Sequence, residues 1–219
     1  MTICFEGLDH SGKTTQLSML EEVLIREGYH ARRSRTEVLD SLLAKRGPLT
    51  LALKKMSITS LSDEVISTLY FAQQVSCAEE YRNSPSIIWL IDRGIFSMAA
   101  YASVMCFQHA FYFEKVVLPS FEVLPHPDLT FFLDGCFSKL ETRAQEGVPL
   151  HRYELLSPGE QKVLYENFRR TLALSRGKVV MLDAFDGKNE LHKKVRSITL
   201  KFLKDFFYRE GGNNYAKSV

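Results

Sequence analysis

An α/β fold, with one mainly parallel five-stranded sheet and helices on both faces, is what this chain predicts, and three observations predict it. Strand-like and helix-like stretches alternate from end to end. The clearest strand, Ile87-Ile88-Trp89-Leu90-Ile91, is apolar at every position, as expected of a parallel strand covered on both faces. A glycine-bearing loop joins the first strand to the first helix. The 219 residues suit one domain with a core large enough to need no staples, and no repeat, low-complexity block or linker divides them.

Taken in order, Thr2 to Phe5 is a short apolar strand running to Gly7. Leu17, Leu20 and Leu24 then recur at helical spacing, and Gly28 sits where a helix end wants a left-handed residue. Tyr29 to Arg35 is a basic strand candidate, and Leu39 to Lys45 a helix stopped by Gly47-Pro48. Ser62 to Arg82 reads as a long helix carrying Val65, Leu69, Ala72 and Ala78 near one face. After the Ile87 to Ile91 strand, helical segments fill Phe96 to Gln108 and Tyr112 to Leu124, until Pro125 and Pro127 break the chain. Leu129 to Leu133 is the next strand, followed by a helix over Cys136 to Gln145 and a polar loop over Glu146 to Tyr153. Ser157-Pro158-Gly159-Glu160 is a capping box with proline at the first helical position, so a helix starts there; it is expected to reach Arg176 and stop at Gly177. Val179 to Leu182 is the fifth strand and Leu191 to Phe207 the last helix. A domain over 1–210 is thus expected, with Gly211-Gly212-Asn213-Asn214 opening a frayed tail over 211–219.

The charge balance, 28 basic against 26 acidic residues, leaves +2, which offers no electrostatic case for nucleic acid or an anionic membrane as the main partner. The longest apolar run is far short of a membrane span. Because a core strand begins almost at Met1, no signal peptide is expected. Cys4, Cys77, Cys106 and Cys136 are scattered and form no C-x-x-C pair, so zinc and a disulfide framework are not expected, and a reducing cytoplasm is the simplest location.

Gly7-Leu8-Asp9-His10-Ser11-Gly12-Lys13-Thr14 is a complete G-x-x-x-x-G-K-T match, placed after a strand and opening a helix. Such glycines let the backbone fold tightly round an anion, with amides turned inward and the positive helix end beside them. Gly7, His10, Ser11, Gly12, Lys13, Thr14 and Thr15 are therefore the expected ATP phosphate cradle of a single-domain P-loop NTPase fold. Lys13 would neutralise β- and γ-phosphate oxygens, and the Thr14 hydroxyl would hold Mg²⁺. Asp92-Arg93 ends the clearest strand, where open parallel sheets bind ligands; the carboxylate can orient Mg²⁺ and the arginine fork suits phosphate. Arg143 and Arg152 flank or enter the loop over 146–153, which can close over a transferring phosphoryl group as a lid of about 143–154. Without these companions, Asp92-Arg93 reads as a surface ion pair, the loop as an ordinary connection and Phe71 as a core aromatic. His126 between its prolines reads as a turn residue, and His192-Lys193-Lys194 as a solvated helix face.

Four segments in order resemble the thymidylate kinase family. They are Phe5-Glu6-Gly7 through Lys13-Thr14-Thr15-Gln16, then Asp92-Arg93 with Ser97 and Ala100-Tyr101, then Pro127-Asp128-Leu129-Thr130 through Leu133-Asp134, and Arg152-Tyr153-Glu154 at the lid's end. The resemblance implies transfer of the ATP γ-phosphoryl group to dTMP, giving dTDP, by a Mg²⁺-dependent enzyme that is usually a homodimer. It implies that Asp9 contacts the acceptor, that Phe71 stacks on its base, that Arg93 bridges donor and acceptor phosphates, and that Tyr101 packs on the acceptor sugar. Glu37, Ser97, Gln74 and Tyr153 complete the expected acceptor site. A monophosphate is already ionised near pH 7, so alignment and charge neutralisation suffice and no Ser/His/Asp array is needed. This chain departs from the family pattern at Gly94 (usually Tyr or His), at Val75 and Val38 (often Arg) and at His10 (Arg in some members). Because the valines cannot donate hydrogen bonds, a kinase of other or broader deoxynucleoside monophosphate preference is one alternative. A nucleotide-binding homologue without catalysis is another. The apolar residues of Phe96 to Leu124 fit a dimer interface and equally a monomer's core.

Overall fold

The computed structural model describes residues 1–34, 63–105, 114–115, 118–143 and 156–209. The expected helix over 39–45, all of the expected lid of about 143–154 beyond Arg143, residues Glu37, Val38, Arg152 and Tyr153, and the tail over 211–219 lie outside them.

The strands are β1 (Thr2–Gly7), β2 (Ala31–Arg33), β3 (Ile88–Asp92), β4 (Leu129–Asp134) and β5 (Lys178–Asp183). The helices are α1 (Lys13–Arg26), α2 (Asp63–Asn83), α3 (Ile95–Met105), α4 (Leu118–Val123), α5 (Phe137–Glu141), α6 (Pro158–Leu172) and α7 (Lys188–Arg209). The strands form one sheet of order β2-β3-β1-β4-β5, and every described pairing is parallel, so the expected α/β fold is what the chain adopts. β1 is central: Phe5 lies opposite Asp92 of β3 on one side and Phe131 of β4 on the other. The chain leaves β1 for β2 and β3, then crosses to β4 and β5, which makes the carboxyl end of β1 the switch point where such sheets bind ligands.

Helices α1 and α7 pack together in one layer, and α3 packs between α2 and α6 in the other. The core runs through both, with the Phe5 and Phe131 rings 5.2 Å apart and Phe132 against Phe168 at 5.5 Å. Residues of β1 alternate between faces, so Ile3 and Phe5 share one side and Cys4 and Glu6 the other.

Local signals explain the boundaries. Gly28 ends α1 with φ 84°. At α6, the Glu160 carboxylate accepts the Ser157 N–H at 2.7 Å while Ser157 Oγ accepts the Glu160 N–H at 3.4 Å, the reciprocal cap the sequence predicts. The same helix stops earlier than expected, at Leu172, where Leu174 and Ser175 N–H groups take the carbonyls of Thr171 and Leu172 in a tightened last turn. Gly177 is not its cap; a Cβ there would lie 2.0 Å from the Pro127 carbonyl oxygen, so glycine is required by the close approach of two chain segments. The helix expected over 136–145 is the five-residue α5, followed by a turn at Thr142–Arg143. His126 is more than a turn residue: its Nε2–H donates to the Phe121 carbonyl at 2.8 Å and its Nδ1 accepts the Arg176 N–H at 3.2 Å, tying the approach to β4 to that of β5. No described helix is long and apolar enough to cross a membrane.

Candidate active site

Between β1 and α1 the loop closes on itself. Gly7 has φ 138° and a Cβ there would meet the Leu133 carbonyl oxygen at 2.6 Å, so only glycine lets the loop leave the sheet at this angle. His10 and Gly12 also take left-handed backbone angles, φ 60° and 91°. These turns bring the free amides of the first turn of α1 to the carboxyl edge of the sheet, beside the helix's positive end.

Lys13 reaches back into this loop. Its Nζ donates to the Leu8 carbonyl at 2.5 Å and to Ser11 Oγ at 3.3 Å. The side chain is buried rather than lying on a surface loop. Burial and then the nearby Arg93 charge pull its ammonium down to about 7, against the partial support of Asp9, Asp92 and Glu6. One residue on, Thr14 Oγ1 donates to Asp92 Oδ2 at 2.6 Å, joining α1 to the end of β3 across 78 residues of chain. A hydroxyl and a carboxylate side by side are the hard oxygen donors that Mg²⁺ accepts. Among the described residues no group of three acids, histidines or cysteines could hold an ion without substrate. Thr14 and Asp92 are the described oxygen donors that would hold a Mg²⁺ beside the phosphate loop.

Arg93 follows Asp92 with φ 63°, a left-handed conformation uncommon outside glycine. Its N–H donates to the Phe5 carbonyl at 3.0 Å. Its guanidinium turns back to the Gly7 carbonyl at 3.0 Å, to Ser97 Oγ at 3.4 Å and into a close ion pair with Asp9. Tyr101 supplies a ring 5.2 Å from the guanidinium carbon and a hydroxyl 3.2 Å from the other Asp9 oxygen. The ring is propped edge-on against Phe168 of α6 at 5.8 Å. Burial alone would lift the Asp9 carboxyl, but Arg93 and Lys13 outweigh it and hold the group below the usual carboxylate range. Burial likewise drives the Tyr101 phenol up, so it stays a hydroxyl donor.

The structure thus brings Asp9, Lys13, Thr14, Asp92, Arg93, Ser97 and Tyr101 to one place. Thr15 lies exposed on the first turn of α1. Phe71 and Gln74 lie one turn apart on α2, half-buried, with Phe71 packed on the core. Arg143 is on the other side of β1, after α5, donating to the Ala184 carbonyl at 2.9 Å with its guanidinium 4.8 Å from the Phe185 ring. Ser97 is buried, and its hydroxyl goes to the Glu6 carboxylate.

Glu6 itself was not singled out as a site residue in the sequence. It is fully buried beneath Arg93 and accepts N–H groups of Gly94 and Ser97 at 2.8 and 3.2 Å. The available signal was an acid inside an apolar strand, where a charge needs partners. The unusual Gly94 has its reason here too: a Cβ would lie 2.9 Å from Cys4 Sγ and 3.4 Å from Glu6 Oε1. Tyr165 was also missed; its hydroxyl spans both Asp134 oxygens at 2.9 and 3.0 Å.

A phosphate-binding loop at the switch point of a parallel sheet, with a hydroxyl–carboxylate pair and a fixed arginine beside it, defines a P-loop phosphotransferase. The thymidylate kinase family's model matches residues 5–195, and the chain belongs to that family. It is a kinase that transfers the γ-phosphoryl group of ATP to dTMP. The chain is 25% identical over 210 residues to a probable thymidylate kinase of Methanosphaera stadtmanae, covering 93% of this chain and all of that one. It is 29% identical over 199 residues to the thymidylate kinase of Schizosaccharomyces pombe, covering 88% of each. The solved thymidylate kinase of Candida albicans shares the fold with a TM-score of 0.66 at 21% identity, covering 92% of each chain.

Proposed function

We propose that γ-phosphoryl transfer to dTMP runs through the cluster at the ends of β1 and β3, with the following division of labour. The amides of Gly7 to Thr15 and the Lys13 ammonium hold the ATP phosphates, and Lys13 exchanges its contacts with Leu8 and Ser11 for phosphate oxygens. Thr14 and Asp92 hold Mg²⁺, which when bound neutralises charge on the β- and γ-phosphates. Arg93 reaches both donor and acceptor phosphates, and Asp9 keeps its fork in place while contacting the acceptor. Tyr101 lines the acceptor sugar, with Phe71, Gln74, Ser97, Glu37 and Tyr153 as further acceptor-side residues. Arg143 and Arg152 serve the lid. The acceptor phosphate is already anionic, so the residues align and neutralise rather than remove a proton.

The observation that carries this reading is the meeting of two pairs, Thr14 with Asp92 and Arg93 with Asp9, on either flank of the phosphate loop. The test is steady-state turnover with ATP, Mg²⁺ and a panel of monophosphates. dTMP is expected to be the best acceptor despite Val75, and turnover of dCMP or dGMP well above dTMP would reject the choice. Withdrawal of Mg²⁺ is expected to stop turnover.

Two coarser points belong to the same proposal. A homodimer is proposed from the family resemblance alone, since the apolar residues of α3, such as Ile95, Phe96 and Ala99, are buried in this chain's own core; it is checked by light scattering. A cytoplasmic location is supported by the free thiols of Cys4, Cys77 and Cys136 and is checked by fractionation.

A further inference from the structure

We propose that Glu6 is a positioning residue for phosphoryl transfer: its buried carboxylate gathers the first amides of α3 and the Ser97 hydroxyl, and so holds Arg93 in the left-handed conformation that turns its guanidinium onto the phosphate loop. The inference rests on the bridging role given to Arg93 above.

Arg93 is held from both sides. On the amino side its own N–H is fixed to the Phe5 carbonyl at 3.0 Å. On the carboxyl side the next amide, Gly94 N–H, is fixed to Glu6 Oε1 at 2.8 Å. Phe5 and Glu6 are consecutive residues of β1, so the central strand clamps the peptide units that flank Arg93. A left-handed residue bearing a side chain is strained and persists only where its surroundings over-determine it. Here they do, because Ser97 N–H at 3.2 Å and the Ser97 hydroxyl also converge on the same carboxylate, with Cys4 Sγ 3.5 Å away. Gly94 has no room for a side chain between Cys4 and Glu6, which keeps the peptide against the carboxylate.

Energetics point the same way. A fully buried carboxylate is costly unless every lone pair is used, and burial does raise the Glu6 carboxyl, opposed by its hydrogen bonds to Ser97 and Gly94. A residue serving only to end a strand or cap α3 could do so with a neutral side chain. Glu6 instead places a carboxylate beneath the Arg93 guanidinium and links to it through Ser97, whose Oγ lies between the two. Glu6 touches no expected position of substrate, so it acts through the residues it holds, Arg93 first and Ser97 beside it.

The test is a double-mutant cycle of Glu6→Gln and Arg93→Ala, with kcat and both KM values measured under Mg·ATP and dTMP, and thermal unfolding followed in parallel. In the parent chain Glu6→Gln is expected to lower kcat on the order of 100-fold, with KM for ATP held within about threefold. In the Arg93→Ala background it is expected to change kcat by less than about threefold, because its target is gone. Equal fold-losses in the two backgrounds, or near-parental kcat for Glu6→Gln, would overturn the positioning role while leaving Arg93 in place. Parental kcat for Arg93→Ala would overturn the role of Arg93 itself and the inference with it. Should Glu6→Gln fail to fold, Glu6→Asp takes its place in the same cycle, its shortened carboxylate drawn back from the Gly94 N–H, with an expected loss of about tenfold that likewise vanishes beside Arg93→Ala.

Discussion

Arg93 and Arg143 stand at the same edge of the sheet, on opposite sides of β1, and are held in opposite ways. Arg93 has a left-handed backbone, a carboxylate partner, a carbonyl, a hydroxyl and an aromatic face. Arg143 is exposed, with the Ala184 carbonyl and the Phe185 ring, a ring it shares with Lys139 at 5.6 Å. A charge already in position stabilises a transition state without reorganising, whereas one that swings into place spends binding energy on being ordered. On the reading proposed above, the difference assigns the chemical step to the β1–β3 side and the holding and release of a nucleotide to the β4–β5 side. The two arginines should therefore divide between kcat and KM.

The largest effect that bears on this division is at Lys13. Lys13→Ala is expected to reduce turnover on the order of 10³-fold, because the loop's own lysine is lost where phosphate charge accumulates. Since Lys13 is buried, the variant also loses the bond to Leu8, so thermal unfolding should be measured beside turnover. Near-normal activity would remove the loop from the chemistry. Arg93→Ala comes next, with an expected loss of about 10²-fold in kcat and a much smaller change in KM for ATP. A matching loss of ATP affinity would place Arg93 in ground-state binding and erase its contrast with Arg143. Arg143→Ala is expected to raise KM for ATP severalfold, about 1 kcal/mol, with kcat nearly kept. A kcat loss approaching that of Arg93→Ala would make the exposed arginine a catalytic one and break the comparison from the other side.

How much of this was legible in the sequence depends on what each feature encodes. The phosphate loop was legible because its glycines are demanded by backbone angles, which short spacing reports directly. Asp92 and Thr14 are far apart in the chain, yet their meeting was legible because ligands gather where parallel strands end. Glu6 was not, since one acid at the end of an apolar run looks like the strand emerging into solvent, and only the register of β1 against β3 puts Gly94 and Ser97 over it. The burial of Lys13 was hidden for a related reason: the charged groups that act on its ammonium, Arg93, Asp9, Asp92 and Glu6, come from β1, β3 and the turns after them, none near it in a helical pattern. The overlong helix after Cys136 failed on tertiary grounds, because good helix formers continue past Glu141 but Arg143 is drawn to the Ala184 carbonyl.

The smallest expected signal, and the sharpest between the two sides, is a proton. With Lys13 brought down to about 7 by burial and by Arg93, the amine is largely neutral at pH 8 before nucleotide arrives. A triphosphate in the loop favours the charged form and raises that value, so binding takes up protons from solution at pH 8. The sign is fixed by the linkage: a bound anion can only increase the proton occupancy of a depressed ammonium. Titration calorimetry of ATP at pH 8 in two buffers of different ionisation enthalpy reads the uptake directly, and pH 8 keeps the nucleotide's own terminal phosphate ionised. Lys13→Ala should abolish the buffer dependence, and Arg143→Ala should leave it intact, since that side chain lies on the Ala184 carbonyl away from the loop. Buffer-independent heats for the parent chain would mean that Lys13 is already charged in the closed loop, and that the β1–β3 side is ready for phosphate without any proton moving.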